Sequence, residues 1–90
     1  MNQVPDFKKM SQEELMAFWA RYSRPSRKDA EALVGDRRPG FTNAASALAN
    51  YACNKAVAMS CKDKGDATAT ACYEHAMRLS YERIPADLRW

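Results

Sequence analysis

The chain of 90 residues is poor in the residues that form β-sheets and in those that form catalytic centres. Valine and isoleucine together occur only four times, and no β-branched run alternates with polar residues, so strands are not expected. Three glycines are too few for a phosphate-binding loop, and there is one histidine. No hydrolase, P-loop, zinc-protease or dinucleotide-binding signature is present. The sequence predicts an all-α protein with no catalytic activity, no cofactor and no small-molecule substrate.

Long apolar segments are also missing. No apolar run approaches the roughly 18 residues of a membrane-spanning helix. The N-terminal stretch MNQVPDFKKMSQEE lacks the apolar core of a signal peptide. We therefore expect no membrane association and a cytoplasmic protein, in which the odd number of cysteines, three, stays reduced.

The bulk composition indicates a folded chain, since 47% of the residues are hydrophobic and 28% are charged. A chain of this length forms one domain. We expect that domain to span residues 1–90, with an N-terminal extension at 1–10, a loop at 35–42 and a C-terminal tail at 85–90.

Two helices are predicted in the first half of the chain. The segment SQEELMAFWARYS begins with Ser11 and has Glu14 three residues later, which is a capping box. An apolar stripe follows at helical spacing: Leu15, Phe18, Trp19 and Tyr22. The segment SRKDAEALVG predicts a second, short helix that Ser26 caps and Gly35 ends.

The second half predicts an antiparallel helical hairpin of about 43–63 and 66–83. The first of these helices starts at Thr42 or Asn43 and carries small residues that allow close packing: Ala45, Ala49, Ala52 and Ala56, followed by Met59. Gly65 breaks the helix and Asp66 caps the next one. The inward face predicted for that last helix comprises Ala69, Cys72, Tyr73, Ala76, Leu79 and Ser80. The expected fold is a compact bundle of about four helices, centred on this hairpin.

The stretch CKDKGDATATACYEH holds two cysteines and the histidine. Its residues are compatible with a metal site or with the turn of a helical hairpin. Cys53 and Cys61 lie eight residues apart on one helix, about 12 Å along its axis, so they cannot share an ion. Cys72 and His75 are the remaining candidate ligands. No more than two ligands meet anywhere in the hairpin. We predict no metal site, and we expect Cys53 and Cys72 to be small buried thiols.

Three aromatic residues indicate a surface for a partner. Tyr51 and Tyr81 lie off the apolar stripes of their helices, and Trp90 follows the last helix in the tail. The long helix is apolar nearly all round, which is typical of a central helix or of one covered by a partner. We therefore expect protein binding through an apolar helical face, either between two copies or to another protein.

The net charge of +3 is confined to the segment 21–38. Its cations are Arg21, Arg24, Arg27, Lys28, Arg37 and Arg38. The preferred hypothesis is a small soluble interaction or regulatory protein that this segment directs toward an acidic partner. The alternative is a nucleic-acid-associated accessory protein that places the same cations on phosphates.

Overall fold

All four predicted helices are present in the computed structural model, which describes residues 3–35 and 39–90. The helices are α1 (Gln12–Tyr22), α2 (Arg27–Val34), α3 (Phe41–Asp63) and α4 (Ala67–Arg83), with short 3-10 helices at Phe7–Lys9 and Ala86–Leu88. No strand occurs in these two ranges, and the predicted all-α fold is confirmed. In the same ranges, no helix combines the length and the apolarity that crossing a membrane requires.

The helix boundaries follow the capping residues of the sequence. Ser11 and Glu14 form the predicted capping box at the start of α1. The Ser26 hydroxyl accepts the Asp29 backbone N–H at the start of α2, and the Asp66 carboxylate accepts the Ala69 N–H at the start of α4. These three caps are confirmed, and each satisfies backbone donors that would otherwise lack a partner.

The start of α3 differs from the prediction by one or two residues. The helix begins at Phe41 and not at Thr42 or Asn43, and no side chain caps its first turn. Gly40 precedes it with a φ of 67°, in the left-handed region that glycine enters at little cost. The backbone of Gly40, and not a polar side chain, therefore turns the chain into the long helix.

Helix α3 is the central element, since α1, α2 and α4 each pack on it. Its seam residues Ala45, Ala49 and Ala52 are fully buried, and Ala56 is nearly so. Side chains this small let a neighbouring helix approach closely. The apolar character of α3 is thus explained largely within the chain.

Polar contacts fix the directions of the helices on α3. The Gln12 amide of α1 donates to the Asp63 carboxylate at 2.9 Å, and the Ser46 hydroxyl donates to the Ser23 carbonyl at 3.0 Å. The first bond joins the start of α1 to the end of α3, and the second joins the end of α1 to the first part of α3. The two helices are therefore antiparallel. On α4, the Ser80 hydroxyl accepts the Asn54 amide at 2.8 Å, which fits the predicted antiparallel hairpin.

The first residues that the structure describes contribute Phe7 to the core. Phe7 is only 2% exposed, and its ring meets that of Phe18 edge to face at a centroid separation of 5.2 Å. The Lys55 ammonium donates to the Phe7 carbonyl at 2.7 Å, and the Gln3 N–H donates to the Leu33 carbonyl, also at 2.7 Å. Residues 3–9 therefore join α1, α2 and α3.

The predicted inward face of α4 needs correction. Ser80 is buried and Ala76 is half-buried, but Cys72 and Tyr73 are exposed and Leu79 is 46% exposed. The covered face instead includes Met77 and Tyr81, together with Ile84 just beyond the helix, which is fully buried. The reason is that α4 packs chiefly on α3, so one helix covers it and its buried strip is narrow.

We predict that Ala52→Leu destabilises the fold by about 1–3 kcal/mol, because the added methyl groups have no space between α3 and its neighbours. Ala71→Leu is the matched control, since Ala71 is exposed on α4. Urea denaturation followed by circular dichroism measures both free energies of unfolding. Equal stability of the two variants would contradict the close packing at the seam.

Candidate functional site

The three aromatic residues predicted for partner binding meet in one cluster. The Trp90 ring lies 4.7 Å from that of Tyr51 and 5.1 Å from that of Tyr81, measured between centroids. Phe7 completes the cluster, with its centroid 5.0 Å from that of Trp90. Even so, the Trp90 residue remains 42% exposed. The cluster thus presents a tryptophan to solvent while three other rings hold it in place.

Hydrogen bonds from the tail fix the position of this tryptophan. The Arg89 guanidinium donates through Nε to the Ile84 carbonyl at 2.8 Å and through Nη2 to the Glu82 carbonyl at 2.7 Å. These carbonyls lie at the end of α4, where intrahelical donors are lacking. The Tyr81 hydroxyl donates to the Trp90 carbonyl oxygen. The tail therefore follows a defined path over the cluster.

The environment of the cluster favours the neutral form of the Tyr51 hydroxyl. Burial raises the pKa of Tyr51, and electrostatic interaction with Tyr81 raises it further. A hydrogen bond with Trp90 lowers the pKa and partly offsets these two effects. Tyr51 consequently stays protonated throughout the physiological range. The aromatic surface offers apolar contact together with hydroxyl groups that form hydrogen bonds.

A groove leads away from the cluster along α3 and α4, and we call it the hairpin groove. It consists of three adjoining depressions of about 560, 180 and 340 Å³, which extend from Trp90 toward Gly65. Its floor is mainly apolar and is formed by Tyr51, Ala58, Met59, Met77 and Tyr81. The floor residues of each helix recur at helical spacing, so both helices turn one stripe toward the groove.

The two rims of the hairpin groove differ in charge. Lysines line the side of the first 3-10 helix and α3: Lys8, Lys55 and Lys62. The α4 side carries Glu74 and Glu82, with Arg78 between them. Within residues 3–35 and 39–90, none of these six side chains forms an ion pair. Burial lowers the pKa of Lys55, whose ammonium already contacts the Phe7 carbonyl.

The basic segment is partly neutralised by its own carboxylates. Arg21 pairs with Asp29 at 3.3 Å, and Arg27 pairs with Glu31 at 3.1 Å. Arg24 and Lys28 are exposed and have no ion pair in the part of the chain that the structure describes. Arg37 and Arg38 lie outside the described residues.

The cysteines and the histidine are dispersed. Cys53 and Cys61 are half-buried, and Cys72 and His75 are exposed, so the prediction of a buried Cys72 is wrong. Cys72 lies on the face of α4 that α3 leaves uncovered. Burial raises the pKa of the Cys53 thiol, which disfavours its reactive thiolate. In the described ranges, no three potential metal ligands cluster together.

Comparison of the chain with protein-family models, with curated proteins and with solved structures finds no match. The site is therefore interpreted from its own residues.

The sequence indicated three of the four aromatic residues, Tyr51, Tyr81 and Trp90, but neither their meeting with Phe7 nor the groove. The signal was present as two helical stripes, Tyr51, Lys55, Met59 and Lys62 on α3 and Thr70, Glu74, Met77 and Tyr81 on α4. Each stripe mixes apolar and charged residues, so neither gives the purely apolar pattern by which a buried face is recognised.

We predict that the three thiols react with a thiol reagent in a fixed order. Cys72 reacts first because it is exposed, and Cys53 reacts last because it is half-buried and its pKa is raised. Mass spectrometry of the native protein after short exposures to the reagent measures the order, and unfolded protein is the control. Faster labelling of Cys53 than of Cys72 would contradict the placement of α4.

Proposed function

We propose that this chain is a non-catalytic protein-binding domain and that the hairpin groove is its binding surface. The single observation that carries the proposal is the position of Trp90. The residue is 42% exposed at one end of an apolar groove, and the rings of Phe7, Tyr51 and Tyr81 pack against its indole. Tryptophan and tyrosine dominate the binding energy of protein interfaces, especially where neighbouring contacts fix them.

The preorganisation of the cluster supports binding. Three ring contacts and the Tyr81 hydrogen bond fix the tail before a partner arrives. An exposed side chain that is already ordered loses little conformational entropy when a partner covers it. The protein would thus regulate its partner by occupying a surface.

The lining of the groove supports a role without catalysis. Its described residues include no histidine, cysteine or serine, the side chains that most often act as nucleophile or general base. Glu74 and Glu82 are exposed on the rim and are not enclosed by it. We further propose a cytoplasmic location, which the three free thiols support.

The nucleic-acid alternative has less support. Of the four described cations in the basic segment, Arg21 and Arg27 already have carboxylate partners. The Asn54 amide donates to Ser80 and is therefore not free to contact a base. Nucleic-acid binding by Arg24 and Lys28 would show a steep salt dependence and would be lost in the double variant Arg24→Glu and Lys28→Glu.

The proposed function is tested by comparing two truncations of similarly exposed side chains, Trp90→Ala in the cluster and Leu79→Ala on the outer face of α4. A photoreactive amino acid in place of Met77 identifies the proteins that reach the groove in cell extract. Each is then purified, and its affinity for the wild type and both variants is measured by calorimetry.

We expect Trp90→Ala to weaken binding at least tenfold, because truncation of an interface tryptophan typically costs about 2 kcal/mol or more. Leu79→Ala should bind like the wild type. Circular dichroism checks that both variants are folded. Equal affinities of the three proteins would contradict the assignment, and light scattering identifies any self-association.

A further inference from the structure

We propose that the partner enters the hairpin groove as an amphipathic α-helix of about three turns that carries acidic side chains along one flank. This inference rests on the proposed function and adds the class of partner to it. Three observations carry it: the length and shape of the groove, the composition of its floor, and the unequal charge of its rims.

The groove has the dimensions of a helix binding site. Its lining on α3 runs from Tyr51 to Lys62, eleven residues apart, which is about 16 Å along the axis. A partner helix of three turns has the same length. The groove lies between two antiparallel helices, and a third helix can pack along such a groove by placing its side chains between theirs.

The floor specifies an apolar stripe on the partner. Tyr51, Met59 and Met77 offer aromatic and thioether surface, and methionine adapts to side chains of different shape. The matching partner carries large apolar residues at positions i, i+4, i+7 and i+11, which is the usual pattern of a helix bound in a groove. Trp90 then contacts one end of that stripe.

The rims specify the charge of the partner's flanks. On one side, Lys8 and Lys62 are exposed and form no ion pair with any residue in the described ranges. Lys55 adds a third positive charge beside them. A helix with glutamate or aspartate on the flank that faces these lysines would gain attraction and a faster association rate. On the α4 side, Glu74 and Glu82 favour a basic flank, although Arg78 weakens that preference.

The shape argues against a second copy as the occupant. Two identical concave faces placed against each other would enclose empty space, whereas stable interfaces are packed as densely as protein interiors. The charge argues against nucleic acid, because Glu74 and Glu82 give the α4 rim a net negative charge, with Arg78 between them, and would repel a phosphate backbone there. A single helix satisfies both the concave shape and the opposite charges.

Two synthetic helical peptides of about 16 residues test this inference. Both carry leucine at i, i+4, i+7 and i+11. The first has glutamates on one flank and lysines on the other, and the second has lysines on both flanks. Fluorescence anisotropy of the labelled peptides measures their affinity for the full chain. A helix that binds in the opposite direction presents its flanks to the opposite rims. The first peptide can therefore place its glutamates beside the lysine rim in one of the two directions, whereas the second peptide cannot do so in either. The comparison thus does not depend on the direction of binding.

We expect the first peptide to bind the wild type at least tenfold more tightly than the second. The difference should shrink as salt increases, because both rims are exposed. In the double variant Lys8→Glu and Lys62→Glu, the preference should reverse. The control is Lys9→Glu with Lys64→Glu, which changes the charge equally at exposed positions outside the groove. It should retain the wild-type preference.

The outcomes separate this inference from the proposed function. Equal binding of both peptides to the wild type would overturn the assignment of charge and leave the groove as a protein-binding surface. If neither peptide binds at concentrations up to about 1 mM, the helical partner is overturned. The comparison of Trp90→Ala with Leu79→Ala then decides separately whether the groove binds protein at all.

Discussion

The close packing of α3 against its neighbours is the constraint on which the rest of the structure depends. Ala45, Ala49 and Ala52 have no exposed surface, and three helices pack on the helix that contains them. Alanine contributes little apolar area by itself, but its small side chain lets larger side chains from neighbouring elements pack close to the backbone of α3. Leu15 and Leu33 are buried in this way, one from α1 and one from α2.

The arrangement of partners around α3 also explains why a groove exists. Ser46 contacts the segment after α1, and Asn54 contacts α4. These positions lie on different sides of the helix, at 100° per residue. Tyr51, Lys55 and Lys62 occupy a further side, where the N-terminal 3-10 helix contacts Lys55 and the C-terminal tail contacts Tyr51. Together with α4, this side of α3 lines the hairpin groove.

Local signals made most of the fold predictable. Several features depend only on residues close together in the sequence, so the sequence alone specifies them. They are the capping box of Ser11 and Glu14, the cap at Asp66 and the alanine seam. Contacts between distant residues were harder to anticipate. Phe7 gave no periodic signal because its 3-10 helix is three residues long, and its ring partners lie at positions 18, 51 and 90.

The orientation of α4 was mispredicted for a related reason. Its apolar residues lie all around the helix, so periodicity alone does not show which face is buried. The hydrogen bonds from Asn54 to Ala76 and Ser80 and the burial of Ile84 mark the true orientation, and both depend on tertiary structure. The candidate site was accordingly predicted only in part: the aromatic residues were recognised by type, whereas the groove depends on how α4 is rotated.

The contact between Phe7 and Trp90 has a consequence for the order of folding. The two residues are 83 positions apart in the sequence, so their meeting in an unfolded chain would close a very long loop at a large entropic cost. The α3–α4 hairpin involves much shorter separations and forms its contacts more readily. Once that hairpin and α1 are in place, the intervening chain is already ordered and closure costs little. We therefore expect the contact between Phe7 and Trp90 to form after the hairpin and α1, so that the surface that holds Trp90 is completed late in folding.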